Sequence, residues 1–519
     1  MNHRLTLALF GSVSLGSLAL AQRAANDWMT NGNDAQRSHW VRVDAKINRE
    51  TMAKPGFELV WKMKMENSPR QLNSVTPPSL LDFYIGYRGF RALGFFGTAN
   101  DKVIGVDLDL AKVEWEKKFT GGPSGPGTLA CPGGLTSAVT RPTAVGYPPL
   151  IFPRGFGRGT PAKSGVGAPH EGAVTIRNTP PQQAPPPRPA QKKGGPPPAA
   201  APSPFSPRVQ WAVALSSDGK LHRMYVSNGE EPIPAVQFLP PGANAVGLVV
   251  FDNTAYVSTT NNCNGVDNGV WSLDIESGKV NHWKASGNVA GNAGPAFGPE
   301  GTIYAVSGDE LVALNKDLTV KATYKGGVQL TSTPVIFEFK GKDLIAVTAA
   351  DGTLHLLDAA NLSSPVAKTS AFATPGYQTG ALASWQEEAG TRWVLAPAGN
   401  SVVSWKVVEN GGSFSLEKAW ASRTLTSPLT PVVVNGVVFA LSSGEFRTND
   451  DKVTAAQRAQ RSTPAVLYAI DGVTGKELWS SGKSITSFVH SGGLAADHNM
   501  VFVAGHDGTQ YSFSFPMEH

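Results

Sequence analysis

Along almost the whole chain after Gln71, apolar and polar residues alternate in short runs, each cut off by Gly, Asn, Asp or Ser. Runs of about four to eight residues with period two predict half-buried β-strands, and the punctuation between them predicts tight turns. The clearest case is Leu467-Tyr468-Ala469-Ile470, which ends at Asp471; Thr474-Gly475 supplies the hairpin turn and Trp479 sits on the return strand. The same order is legible in Gly105-Val106-Asp107 leading to Trp115, and in Ser272-Leu273-Asp274 with Ser277-Gly278 leading to Trp283. Weaker copies are Ala313-Leu314-Asn315 before Tyr324, Leu356-Leu357-Asp358, and Ser404-Trp405-Lys406 before Trp420. A unit returning about every 40 to 55 residues is the signature of a repeat architecture, and a four-stranded repeat predicts the blades of a propeller.

Seven repeats fit between Leu72 and Gly482, and an eighth begins near Ser487 with Val501-Phe502-Val503 and Tyr511-Ser512-Phe513. It lacks an outer strand. Phe57-Glu58-Leu59-Val60-Trp61-Lys62-Met63 has the alternation and the Trp of one. The expected fold is therefore an all-β, eight-bladed β-propeller of four-stranded antiparallel blades. The N-terminal strand completes the last blade, so no sheet edge is left open. Residues 22–519 form one such domain.

The pattern AxDxxTGxxxW, complete at Ala469, Asp471, Thr474, Gly475 and Trp479, resembles the tryptophan-docking signature of the pyrroloquinoline-quinone (PQQ) repeat family. The stretch Asp27-Trp28-Met29-Thr30-Asn31-Gly32-Asn33-Asp34-Ala35-Gln36-Arg37 is similar to that family's opening segment. The resemblance implies that Trp61, Trp115, Trp283 and Trp479 pack between neighbouring blades. It also raises the chemistry of PQQ-dependent alcohol dehydrogenases, which need calcium held by a carboxylate and an amide, an Asp base, and commonly a disulfide between adjacent cysteines.

This chain has no Cys-Cys pair, and the starts of its inner strands carry amides and hydroxyls: Asn73 to Thr76, Leu135 to Ser137, Asn261-Asn262, Gly291-Asn292, Thr331 to Thr333, Gln378-Thr379 and Thr426-Ser427. Asn261 and Asn292 are candidate amide ligands at the funnel, with His490 beside them, although the same groups also suit water or backbone packing. Without matching carboxylates a hard dication lacks charge compensation. The expectation is a non-catalytic scaffold, with no cofactor, that binds a polar ligand or an extracytoplasmic protein as a monomer. The alternative is a divergent dehydrogenase using PQQ and calcium.

Composition adds a location. Arg4, the apolar run Leu5 to Leu20 and Ala19-Leu20-Ala21 predict a signal peptide over residues 1–21, hence a periplasmic or extracellular protein without a membrane span. Cys131 and Cys263, the two cysteines, are expected to form a structural disulfide there; free thiols, or one catalytic thiol, are the alternatives. The sequence pI of about 9.0 comes from one place. Between Pro153 and Arg208 eight Lys or Arg face Glu171 alone. That charge surrounds a Pro/Gly-rich stretch, 155–207, read as a solvated insertion within a blade. It is not interleaved with aromatic residues, so nucleic-acid binding is not expected.

Overall fold

The computed structural model describes residues 27–66, 68–86, 89–123, 125–148, 210–450, 452–490 and 493–516. The expected signal peptide and the 155–207 insertion lie outside them.

Eight sheets follow one another along the chain, forming the blades of a propeller. Blade 1 runs from Ser79–Gly86 to Lys112–Lys118, blade 3 from Ala245–Phe251 to Val280–Lys284, blade 4 from Ala296–Phe297 to Val320–Lys325, blade 5 from Val335–Phe339 to Ala367–Lys368, and blade 6 from Ala383–Gln386 to Ser413–Ala421. Each is a four-stranded antiparallel meander. Blade 8 is built from Leu494–Asp497, Met500–Ala504, Thr509–Ser514 and, as expected, the N-terminal strand Glu58–Lys64, whose Trp61 lies opposite Ser512.

Two blades depart from the repeat. Blade 2 has three strands, Trp211–Leu215, Lys220–Tyr225 and Val236–Gln237, and its innermost position is held by a single bridge between Thr140 and Val213. Blade 7, Val432–Val434 to Glu477–Ser480, gains a fifth and parallel strand, Trp40–Val41, because the N-terminal segment reaches its inner edge.

The Asp of each closing hairpin has a definite task. Asp471 Oδ1 accepts from the backbone N–H of Thr474 at 2.9 Å, Asp274 Oδ1 from Ser277 at 2.7 Å, and Asp107 Oδ1 from Leu110 at 3.0 Å. The turn then needs a left-handed residue, supplied by Gly475, Gly278 and, without glycine, Ala111 at φ 50°. The tight turn presents the carbonyl after the Asp to the preceding blade. Trp61 donates its ring N–H to Leu108 O at 3.1 Å, Trp115 to Val226 O at 2.9 Å and Trp420 to Gly472 O at 2.9 Å, each from one blade to the next. Trp479 packs edge-on against Phe57 and Phe513 of the blade 8 side, and Trp283 lies half-buried against the blade 3 and 4 core.

The N-terminal segment is the least repeat-like part and the most connected. Leu80 of blade 1 donates its N–H to Trp28 O, Arg141 of blade 2 to Met29 O, Phe297 of blade 4 to Ala35 O, Ile336 of blade 5 to Gln36 O, Ser384 of blade 6 to Ser38 O and Val433 of blade 7 to His39 O. Thr30 Oγ1 donates to Leu248 O of blade 3, and Asp497 of blade 8 accepts from the Trp28 N–H. The segment thus visits the blades in order around the axis. Among the described residues no helix is long and apolar enough to cross a membrane.

Candidate functional site

The residues just before the inner strands come together at the axis, except in blade 3, where Asn261-Asn262, expected at the start of an inner strand, lie instead in the loop after the second strand, Thr254–Thr259, because the inner strand is Ala245–Phe251. A cavity of about 480 Å³ is walled by blades 3 to 8: Thr260 and Asn261, then Asn288 to Asn292, Gln329 to Thr331, Gln378 to Gly380, Pro428 to Thr430, and His490. A smaller cavity of about 50 Å³ continues it toward blades 1 and 2, lined by Asn73 to Pro77, Leu135 and Thr136. Asn292 borders both, and Asn31 of the N-terminal segment lines the smaller one while donating to Asn292 O at 2.8 Å.

Asn261, Asn292 and His490 therefore share one cavity wall, but they are not equally available. Asn261 donates its side-chain amide to Ala130 O at 2.9 Å, and its backbone N–H is held by Asn288 Oδ1. It is committed to the loop crosslinked by the Cys131–Cys263 disulfide. In that loop Asn261, Asn262 and Asn264 all have positive φ, a strain that the crosslink and the amide bonds hold in place. The side chains of Asn292, Gln329 and Gln378 make no hydrogen bond among the described residues.

Two further residues escape the repeat pattern. Between its strands Val437–Ser442 and Val466–Asp471, blade 7 makes a long excursion that includes the short helix Ala455–Arg461, capped by Thr454 and Gln457. The excursion delivers Arg447 to the cavity and sets Glu445 against it. Glu445 is 2% exposed. Its Oε1 meets His490 Nδ1 at 2.9 Å, and its Oε2 accepts from Arg447 Nε at 2.9 Å. Burial alone would raise the Glu445 carboxyl; the charges and hydrogen bonds of His490 and Arg447 outweigh it and hold it at about 2. An ionised carboxylate only accepts, so His490 carries a proton on Nδ1, and its side chain lines the cavity. Arg447 keeps both terminal nitrogens free of hydrogen bonds within the described residues. The signal in the sequence is the length of this excursion, which breaks the spacing of the seventh repeat.

A second histidine constellation lies in blade 2, where Ser216 Oγ meets His222 Nε2 at 2.9 Å and His222 Nδ1 meets Glu231 Oε1 at 3.0 Å. That order mimics a nucleophile, base and orienting acid. Blade 5 repeats it as a turn motif: Thr353 Oγ1 meets His355 Nε2 at 3.0 Å, with Tyr324 OH on the other ring nitrogen. Ser216 and His222 are both buried. The string is the repeat's way of satisfying a buried imidazole.

Among the described residues no group of three or more His, Cys, Asp or Glu is arranged to hold a metal ion. The calcium and PQQ of the dehydrogenases do not fit the wall: among the described residues no carboxylate and no Phe, Tyr or Trp lines it, and the adjoining Glu445 has both oxygens engaged.

The fold is similar to that of a quinohemoprotein alcohol dehydrogenase from Comamonas testosteroni (TM-score 0.54, 12% identity, 98% of this chain and 83% of that one). It is also similar to a europium-containing methanol dehydrogenase (0.51, 11%, 96% and 91%) and to Sqt1 of Saccharomyces cerevisiae (0.52, 10%, 89% and 100%). At these identities the likeness is one of fold. No family model and no curated protein sequence matches the chain.

Proposed function

We propose that this chain is a non-catalytic, PQQ-repeat-type propeller that works outside the cytoplasm and holds a small polar ligand in its axial cavity. One observation carries the reading: the wall presents unengaged amides, an arginine and an imidazole, while the adjoining carboxylate, Glu445, is buried and consumed by two partners. That set recognises a ligand but supplies neither a calcium cage nor a free carboxylate base. The disulfide suits an oxidising compartment.

The test is a titration of purified protein with PQQ and calcium, following quinone absorbance and alcohol-dependent dye reduction. The expected outcome is no stoichiometric binding and no turnover. Stoichiometric PQQ binding with turnover, lost in Asn292→Ala, would make the protein a dehydrogenase instead. A second reading, docking of an extracytoplasmic protein, rests on the blade 1 hairpin, where Ile85 and Phe90 are 63% and 61% exposed. Crosslinking in the native compartment that is lost in the Ile85→Ser, Phe90→Ser double variant would support it.

A further inference from the structure

The free groups of the cavity define more than polarity. We infer that the axial cavity is built for a hydroxylated monocarboxylate, of the sugar-acid class, with its carboxylate on Arg447 and a neighbouring hydroxyl on His490. This inference rests on the ligand-binding reading above.

The charge count comes first. Arg447 is bound through Nε to Glu445 Oε2, which leaves its terminal nitrogens as a parallel pair of donors. Such a pair matches the two oxygens of a carboxylate, and charge-assisted bonds of this kind are the strong ones. Glu445 offsets part of the positive charge from behind, since it is 2% exposed and held by both Arg447 and His490. The Arg447 fork meets one carboxylate; a dianion or a tricarboxylate carries further charge that no other described lining residue meets, because Arg447 and His490 are the basic side chains among them.

The neutral part of the ligand follows from the remaining groups. His490 and Arg447 flank one carboxylate, His490 on Oε1 and Arg447 on Oε2, so a group bound to His490 Nε2 lies next to the carboxylate on Arg447. A hydroxyl both donates and accepts, and it satisfies Nε2 in either protonation state. Asn292, Gln329 and Gln378 each offer a donor and an acceptor, which suits further hydroxyls. Among the described residues no Phe, Tyr or Trp lines the cavity, so a planar ring system finds no large stacking platform there. A volume of about 480 Å³ lies within the range of small-molecule sites.

The experiment is calorimetric titration of the full-length protein with D-gluconate and D-galacturonate, each against its uncharged counterpart, D-glucose and D-galactose. At least one acid is expected to bind about tenfold or more tightly than its neutral partner. Arg447→Gln should remove that preference, and Arg447→Lys, which keeps the charge and loses the fork, should retain part of it. Should Arg447→Gln fail to fold, Arg447→Lys and His490→Gln still test the assignment, each expected to weaken the acid. Equal binding of acid and neutral sugar, weakened by Asn292→Ala, would overturn the ligand class and keep the cavity reading. No binding by either acid would also overturn the class. Stoichiometric binding of PQQ with calcium would overturn the reading beneath it.

Discussion

Gly475 sits at φ +75°, and a Cβ there would lie 2.7 Å from Cγ of Trp420, the ring that docks from the preceding blade. Gly278 occupies the same turn position at φ +72° with nothing within 4 Å, because blade 2 sends no Trp toward it. The pair separates two costs that a glycine normally confounds. Gly278→Ala should lose about 1 kcal/mol, the left-handed backbone penalty alone. Gly475→Ala should lose about 2 to 4 kcal/mol, since the Trp420 ring must also shift. Denaturant midpoints of the two variants check this, and equal losses would mean that the docking contact contributes nothing. At this scale the docking motif was legible: Asp471, Gly475 and Trp479 are set by local turn geometry that the sequence displays directly. Glu445 and Arg447 were not legible, because an excursion without a repeat pattern gives no register from which to tell which side chains reach the axis.

Between elements, the seam from blade 8 to blade 1 differs from the others because it closes the ring. Besides the strand Glu58–Lys64 and the Trp61 bond, it carries His498, at the tip of the hairpin joining Leu494–Asp497 to Met500–Ala504. Its ring nitrogens meet Asp82 of blade 1 and, at 2.7 Å, Asp109. Burial disfavours the imidazolium, but hydrogen bonds and charges from Asp109 and Asp82 raise it to about 10 from its ordinary 6.5. A raised pKa stabilises the fold fully below 6.5, and that contribution is lost as pH rises through about 10. The melting temperature should therefore fall more between pH 7 and pH 10 for the parent than for His498→Asn; Asn tolerates the φ of 52° at this position. Parallel pH profiles would show that the clamp is inert. On the opposite side of the repeat, the Cys131–Cys263 disulfide ties the loop after blade 1 to blade 3 across a separation of 132 residues. The double Cys→Ser variant should lose about 4 to 5 kcal/mol in the chain-entropy picture, visible as a lower melting temperature that reductant no longer changes. The sequence showed that a terminal strand was missing from the last blade and which strand could fill it. It showed nothing of His498, whose partners lie on a different blade.

At the level of the whole molecule, a ring of blades has no central core of its own, since each sheet packs mainly on its two neighbours. Here the axis is occupied by the N-terminal segment, and Arg37 shows how firmly. It is 0% exposed, and its guanidinium donates to the carbonyls of Asn31, Pro295 and Gly247. Burial lowers it to about 9 against the opposing charge of Asp34. Removing the segment would leave the Pro295 and Gly247 carbonyls and the inner-strand N–H groups of six blades without partners, each a buried polar group costing about 1 to 3 kcal/mol. It also lines the smaller axial cavity, through Asn31 against Asn292. Two truncations follow from this. A chain starting at Asp27 should melt like one starting at Gln22. One starting at Arg42 keeps the closing strand Glu58–Lys64 and loses only the segment; it should unfold at markedly lower denaturant and over a broader range, as the blades lose their common partner. Hydrogen exchange locates the effect: Phe297, Ile336, Ser384 and Val433, far from the chain terminus in sequence, should lose protection together, while the outer strands exchange as before. If those four amides stayed protected in the shorter chain, the segment would be filler, and the ring would hold through its blade-to-blade contacts alone.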